Sequence, residues 1–142
     1  SEYLESFCYS VNYYKRETKI TNLFNALPYI VCSRDCEQLR NNLRNDDYPI
    51  LLEGLHCCGI LTHEEFLNRN IIVRAHNVEH DYYEHLSKAE VDAKKKLYLK
   101  QEVAKLRDFE TVLNKAKAIL AISQKDYEYF AEKYKNGYKV TA

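Results

Sequence analysis

Polar and ionisable side chains follow three short apolar runs of the sequence, and their types suit contact with a charged or hydroxyl-rich ligand. Gly54 and His56 come directly after PILLE, and the block HNVEH, which starts at His76, comes directly after IIVRA. The block SQKD, which starts at Ser123, follows AILAI. A helix that begins after such a run leaves free backbone N–H groups, which bind anions such as phosphate. The sequence thus predicts one binding site assembled from three segments.

Each of these residues also has a purely structural interpretation. Asn77 and Ser123 are favoured helix N-cap residues. Arg74 can neutralise a nearby carboxylate, and a single histidine such as His56 is more often a hydrogen-bonded core residue than a ligand. Their gathering after successive apolar runs favours a binding site over four unrelated structural roles.

The three apolar runs have the length and composition of buried strands, and amphipathic helical patterns separate them. The predicted strands are Pro49–Glu53, Ile71–Ala75 and Ala118–Ile122. Continuous apolar strands separated by helices are typical of a parallel sheet covered on both faces. We therefore predict one α/β domain over residues 1–142, with a Rossmann-like, doubly wound, mostly parallel sheet. In such sheets ligands bind beyond the carboxyl ends of the strands, where the polar residues come.

Local signals predict the remaining elements. Asp35 is expected to cap a helix that carries Leu39 and Leu43, and Thr62 to cap a short helix over residues 64–67. Residues 77–116 read as two helices divided near residues 87–92, and Ser123 caps a last helix. Further extended segments are predicted over residues 8–14, 29–32 and 138–141, and a short helix over residues 20–27 ends before a proline.

The composition excludes several classes of protein. The chain has 21 basic and 21 acidic residues, so no overall charge attracts nucleic acid, and the Lys94–Lys96 run is interpreted as a solvated helix face. The sequence contains no run of 18 apolar residues, so it predicts no membrane-spanning helix. The five cysteines are odd in number and lack paired zinc-ligand spacing, which predicts free, mainly structural thiols in a reducing compartment; they are Cys8, Cys32, Cys36, Cys57 and Cys58.

The block HNVEH also matches H-x-x-E-H, the inverted signature of zinc peptidases. That chemistry needs both histidines on one face of a helix, with the glutamate beside them as the base. His76 closes a predicted strand and Asn77 is the predicted cap, so His76 would lie outside the helix. Zinc hydrolysis is therefore a minor alternative, and no metal ligand is assigned.

Three segments of the chain resemble the N-terminal half of bacterial family 4 type glycosyltransferases, in a branch that builds surface polysaccharide. They are YPILLEGLH from Tyr48, VRAHNVEHDYY from Val73, and AILAISQKDYEYF from Ala118. The likeness covers nearly the whole chain. The block R-x-H-N-x-E, from Arg74 to Glu79, is its most specific part, and the SxxD block at Ser123 is weak by itself.

The resemblance implies a GT-B fold, in which an acceptor-binding and a donor-binding Rossmann-like domain face each other across a cleft. It implies that His56 contacts the acceptor or acts as the catalytic base, since imidazole titrates near neutral pH. The other residues expected to bind substrate are Glu53, Gly54, Arg74, His76, Asn77, Glu79 and Ser123. The expected ligands are a nucleotide-sugar donor and a glycan or lipid-linked acceptor, with no metal or other cofactor.

The resemblance is also incomplete. The family's first strand and glycine-rich loop have no counterpart before Ser1, and its glutamate-rich donor-domain motif has none in this sequence. We therefore expect an acceptor-side fragment that transfers no sugar alone, from a cytoplasmic enzyme with peripheral contact to the inner membrane face. Bare sheet edges in such a fragment would favour a homodimer. The alternative from another class is a non-catalytic α/β interaction module, in which the same polar residues are caps and core hydrogen bonds.

Overall fold

Four parallel strands form the central sheet of the protein, in a computed structural model that describes residues 2–134 and 139–141. Each strand is a short aliphatic run, and each crossover carries helical segments, as parallel pairing requires. The α/β class and the parallel sheet predicted from the sequence are confirmed. The strands are β1 (Ile50–Glu53), β2 (Ile71–Ala75), β3 (Ala118–Ala121) and β4 (Lys139–Thr141).

Helices connect the strands and form the N-terminal segment. The α-helices are α1 (Glu2–Glu5), α2 (Tyr29–Cys32), α3 (Glu37–Leu43), α4 (Glu79–Ala89), α5 (Ala93–Phe109) and α6 (Gln124–Lys133). Four 3-10 helices occupy Ile20–Phe24, Leu55–Thr62, Glu64–Phe66 and Glu110–Lys115. The predicted division of the long helical region near residues 87–92 is confirmed. Of the last strand, predicted over residues 138–141, Lys139–Thr141 is confirmed, and Tyr138 lies outside the described residues.

One face of the sheet carries the hydrophobic core. Leu52 pairs with Val73, which pairs with Ile119, and all three side chains are buried. Alternate residues point to the opposite face, where Leu51 is 53% exposed and Arg74 is exposed as well. The sequence analysis expected helices on both faces, whereas the described residues fully cover only one. The aliphatic residues of the second face made the two faces indistinguishable in the sequence.

The strand order is β1-β2-β3-β4, the order of the chain. Among the described strands the order therefore never reverses, and a reversal is what defines a doubly wound sheet. The doubly wound arrangement and the GT-B assignment stay predictions. β1 and β4 are the outer strands of the described sheet, and the homodimer expected through a sheet edge also stays a prediction.

A buried carboxylate joins α4, the Glu110–Lys115 helix and α6. The Glu110 side chain is 1% exposed, and its Oε2 lies 3.1 Å from Nδ1 of His80 on α4. On α6, Tyr129 donates its hydroxyl to Glu110 Oε1 at 2.8 Å, and Lys133 contacts the same oxygen. The Tyr134 hydroxyl donates to the Glu110 carbonyl at 2.9 Å. A buried charge is tolerated because several donors surround it.

A second buried carboxylate fixes the N-terminal segment. Glu102 on α5 is fully buried, and its Oε2 accepts a 2.7 Å hydrogen bond from the backbone N–H of Tyr29, the first residue of α2. Residues 29–32 were predicted to be extended, and that prediction is wrong. A helix can start directly after Pro28, since proline is tolerated at a helix start, and a carboxylate 73 residues away binds its free N–H group.

Three other local predictions are also wrong. Residues 8–14 form no strand. Asp35 does not cap α3, because its carboxylate binds Arg40 and His63, the latter at 2.7 Å, and Cys36 takes the N-cap position. The Thr62 hydroxyl donates to the Gly59 carbonyl at 2.7 Å, so it forms no capping box with the helix that follows. For Asp35 a tertiary contact with His63 replaced the local cap, whereas Thr62 bonds to a carbonyl three residues earlier in the chain.

Within the described ranges, the helices are all too short or too polar to cross a lipid bilayer. The five cysteines are free thiols, as the sequence predicted. Cys58 is buried, Cys8 is exposed, and the other three are partly buried.

Candidate functional site

The carboxyl ends of β1 and β2 bring three of the predicted site residues together. Glu53 ends β1 and is the register partner of Arg74 in β2, with 3.4 Å between their charged groups. His76 follows β2, and its Nε2 lies 2.6 Å from Glu53 Oε2. His76, and then Arg74, lower the pKa of the Glu53 carboxyl. These three exposed side chains form a rim of donors and acceptors at the edge where parallel strands end.

His56 and Glu79 form a second imidazole–carboxylate contact beside this rim. His56 lies in the 3-10 helix that follows β1, and its Nδ1 is 3.5 Å from Oε1 of Glu79, the first residue of α4. Glu79 is 9% exposed, so its carboxylate is largely shielded from solvent. An acidic residue in the first helical turn is also favoured by the helix dipole.

Gly54 allows the His56 ring to lie against the backbone. Gly54 has φ +85° and ψ 159°, a conformation that only glycine adopts readily. A Cβ atom at this position would lie 2.7 Å from His56 Cε1 and 2.9 Å from Nδ1. The predicted substrate-binding role of Gly54 is therefore accompanied by a positioning role, because any side chain here would displace the imidazole.

The surroundings of His56 favour its protonated form. Its hydrogen-bonding contact with the Cys57 side chain, and then the contact with Glu79, raise the pKa of His56 to about 9. Partial burial and the positive charge of Arg34 act in the opposite direction. At neutral pH the resting imidazole therefore carries a proton and donates hydrogen bonds. A role as general base requires that a bound ligand first lower this pKa.

Asn77 does not cap α4, contrary to the prediction. The helix starts at Glu79 with Val78 at the cap position, and no side chain caps it. The Oδ1 atom of Asn77 is buried, and no described residue forms a hydrogen bond with it. Asn77 also lines a separate shallow pocket with Lys125 of α6, away from the described contacts of His56.

Ser123 is the N-cap of α6, as predicted. Its Oγ accepts a 3.2 Å hydrogen bond from the backbone N–H of Asp126 and also contacts the Asp126 carboxylate. Ser123 follows β3 at the same edge of the sheet, but none of its recorded contacts joins it to Glu53 or His56. The structure therefore groups the β1 and β2 residues and leaves Ser123 apart from them.

A pocket of about 320 Å³ opens next to the first strand end. Aliphatic side chains of α2, α3 and β1 form most of its wall, and the polar side chains in its lining come from Glu53, His56, Arg34 and Asp35. This volume is at the lower end of the range for small-molecule sites, and a mainly apolar wall with a few polar groups is typical of them. Cys57 lines the same pocket.

The two histidines of the H-x-x-E-H motif face different partners. His76 lies outside the helix on the exposed rim with Glu53, while His80 is buried against Glu110. In the part of the chain that the structure describes, no three His, Cys, Asp or Glu side chains are arranged to hold a metal ion. The motif in this chain therefore lacks the geometry that zinc hydrolysis requires.

The sequence analysis did not predict that Arg34, Asp35 and Cys57 line the pocket beside His56. Arg34 and Asp35 precede α3 and reach the pocket only because α2 and α3 pack beside β1. No motif marks them, and Asp35 was interpreted as a helix cap. Cys57 was grouped with the structural thiols, although its adjacency to His56 was visible in the sequence.

The chain matches no protein-family model, no curated protein and no solved structure. The fold and the site together define an α/β domain with a parallel sheet and a polar rim at the carboxyl ends of its first two strands. Two imidazole–carboxylate contacts, one exposed and one partly buried, are the distinguishing feature of that rim.

Proposed function

We propose that this domain is the acceptor-side part of a glycosyltransferase. The parent enzyme would move a sugar from a nucleotide-sugar donor to a glycan or lipid-linked acceptor in surface polysaccharide synthesis. The observation that carries the proposal is the pair of imidazole–carboxylate contacts, Glu53 with His76 and Glu79 with His56, at adjacent strand ends. Ligands of parallel α/β sheets bind at this edge.

The chemistry of the rim suits a polyhydroxylated ligand. A carboxylate accepts hydrogen bonds from sugar hydroxyls, whereas imidazole and guanidinium groups donate to hydroxyl and phosphate oxygens. Glu53, His76 and Arg74 supply both kinds of group, and the charged groups of His76 and Arg74 each lie within 3.4 Å of the Glu53 carboxylate. All three side chains are between 41% and 50% exposed, so they can reach a ligand without rearrangement of the core.

We assign His56 first to contact with the acceptor. The pKa of about 9 keeps it protonated at neutral pH, so it would orient an acceptor oxygen by donating a hydrogen bond. Deprotonation of the acceptor hydroxyl by His56 belongs to the same proposal only if binding displaces the Cys57 or Glu79 contact. In that case the pKa would fall towards the ordinary value for histidine.

A basic groove between α4 and α5 supports the expected contact with a membrane surface. Lys88, Lys96, Lys100 and Arg107 line it, and Glu84 is the acidic residue among its lining. A lipid-linked acceptor would bring the domain close to anionic headgroups, where each lysine or arginine contributes about 1 kcal/mol. In this proposal the groove holds the domain at the bilayer, and no nucleic acid is a partner.

Ligand-observed NMR on the chain tests the acceptor site. We would record saturation transfer to a panel of methyl glycosides, and then repeat the measurement with Glu53→Gln, His76→Gln and His56→Gln. The proposal expects at least one glycoside to bind, with each substitution weakening binding about tenfold, since one hydrogen bond to a charged group contributes 1.5–3 kcal/mol.

Glu65→Gln is the matched control, because Glu65 is as exposed as Glu53 but pairs with Arg44 on another surface. Its substitution should leave glycoside binding unchanged. If no glycoside binds, or if Glu65→Gln and Glu53→Gln have equal effects, the acceptor-site proposal is wrong. The result would then favour the alternative of a non-catalytic interaction module. Separately, turnover of a nucleotide sugar by this chain alone would contradict the expectation that it transfers no sugar.

A further inference from the structure

The pocket beside His56 is more apolar than a sugar site needs. Its wall includes Val31, Leu39, Leu43, Leu52 and Ile60, and it encloses about 320 Å³. Burial of aliphatic groups in such a space is favourable by roughly 25 cal/mol per Å² of apolar surface. The polar rim described above therefore accounts for only part of the site, and the aliphatic wall suits an apolar chain.

Cys57 is the cysteine that faces this pocket. It is partly buried, whereas the neighbouring Cys58 is 0% exposed and its burial raises the pKa of its thiol strongly. Burial also raises the pKa of Cys32. Cys8 and Cys36 do not line the pocket. Cys57 is thus distinguished from the other four thiols by its access to an enclosed apolar space.

The same cysteine lies in the pocket lining next to His56, an imidazole that a carboxylate contacts. His56 contacts the Cys57 side chain, and its Nδ1 is 3.5 Å from Glu79 Oε1. Gly54 fixes the ring by close contact with its backbone. Nucleophilic thiols are commonly activated by such an arrangement, because a neighbouring imidazolium stabilises the reactive thiolate.

We propose that Cys57 is an acylation site, which takes a medium-length aliphatic acyl group from a thioester and lodges its chain in the pocket. The Cys57 sulfur attacks the carbonyl carbon, a new carbon–sulfur bond forms, and the bond to the carrier sulfur breaks. The thiol proton passes to the departing carrier thiolate, so that a free carrier thiol is released, and the protonated His56 donates a hydrogen bond to the sulfur during the transfer. Nothing is oxidised or reduced.

Incubation of the chain with octanoyl coenzyme A tests this directly, with intact-mass and peptide mass spectrometry as the measurement. The expected product is one hydroxylamine-sensitive octanoyl group on Cys57. Acetyl coenzyme A should react at least about tenfold more slowly, because even one methylene that enters an apolar pocket changes the rate about tenfold or more. S-octanoyl-N-acetylcysteamine, which lacks the nucleotide, should also acylate Cys57 if the pocket recognises the acyl chain and not the carrier.

Four variants test the thiol, the pocket and the imidazole separately. Cys57→Ser should abolish the adduct, while Cys36→Ser should leave it unchanged. Leu39→Trp fills the pocket and should slow octanoylation about tenfold, while the small reagent iodoacetamide should still label Cys57. An unchanged thermal unfolding transition would show that this variant is folded. His56→Gln should slow both reactions about tenfold, the loss expected when one nearby charge is removed.

Two outcomes would overturn the proposal. One is octanoylation spread over Cys8 and Cys36 at rates that follow their exposure. The other is an unmodified Cys57 in a protein whose Cys57 still reacts with iodoacetamide. Neither outcome depends on sugar binding, so this inference and the glycosyltransferase proposal stand or fall separately.

Discussion

The backbone of Gly54 supports the imidazole ring of His56: a Cβ atom at residue 54 would lie 2.7 Å from His56 Cε1. Gly54 also holds φ at +85°, in a region that non-glycine residues rarely occupy. The position of the central histidine of the candidate site is thus determined by a residue with no side chain.

Gly54→Ala should lower the free energy of unfolding by about 1–3 kcal/mol, because alanine must adopt a strained backbone and displace the ring. Urea denaturation measures the loss. Gly59→Ala is the control, since its Cβ would lie 3.1 Å from Asp35 but its backbone is unstrained. An equal or smaller loss for Gly54→Ala would contradict the stated role of its conformation.

The contacts of His56 predict a pH dependence of stability. The pKa of His56 rises from 6.5 to about 9 on folding, so the folded protein binds this proton more tightly. The resulting stabilisation is fully present below pH 6.5 and is lost as pH rises towards 9. Relative to His56→Gln, the free energy of unfolding of the wild-type chain should therefore fall across this interval.

An NMR titration of the His56 imidazole measures the pKa of this residue directly. Cys57→Ser should lower the pKa of His56 most, and Glu79→Gln should lower it less, in keeping with the order of their contributions. His85→Gln serves as the control because His85 makes no described contact with this site. A titration midpoint for His56 near 6.5 in the wild-type chain would refute the assigned contacts.

The buried carboxylate of Glu110 should be essential for stability. Glu110→Gln removes the negative charge that faces Lys133 and His80, and the amide cannot satisfy all of the surrounding donors. Breaking a buried ionic contact by removal of one partner costs about 3–5 kcal/mol. Thermal unfolding should therefore show a large decrease in Tm.

The control for Glu110 is Glu65→Gln, which breaks an exposed pair with Arg44. A pair of this kind contributes about 0–1 kcal/mol, so its loss should hardly change the Tm. Similar decreases for the two substitutions would show that burial of Glu110 does not control the effect.

The N-cap of α6 predicts a smaller change. Ser123→Ala removes the acceptor for the Asp126 N–H and should cost about 1 kcal/mol. Ser123→Asn, which retains a capping oxygen, should keep most of the stability. Because Ser123 has no recorded contact with His56 or Glu53, neither variant should alter glycoside binding. A loss of binding in both would place Ser123 in the site after all.

Much of the sheet could be predicted from the sequence, because short aliphatic runs and helical periodicity are local properties. β1, β2 and β3 lie where PILLE, IIVRA and AILAI predicted them, and the Ser123 cap has the expected hydrogen bond. Two of the local predictions failed because a distant group intervened. The carboxylate of Glu102 stabilises a helix start at Tyr29, and His63 and Arg40 engage the side chain that was expected to cap α3.

For the candidate site, the sequence by itself determined that Glu53, His56, Arg74 and His76 come at or after the ends of strands. Parallel pairing then requires those ends to share one edge, whatever the rest of the fold does. Only the tertiary structure paired His76 with Glu53 and His56 with Glu79, and only it placed Cys57 beside an aliphatic pocket. Such pairs join residues up to 23 positions apart, and they depend on strand register and helix packing, which local sequence patterns do not encode.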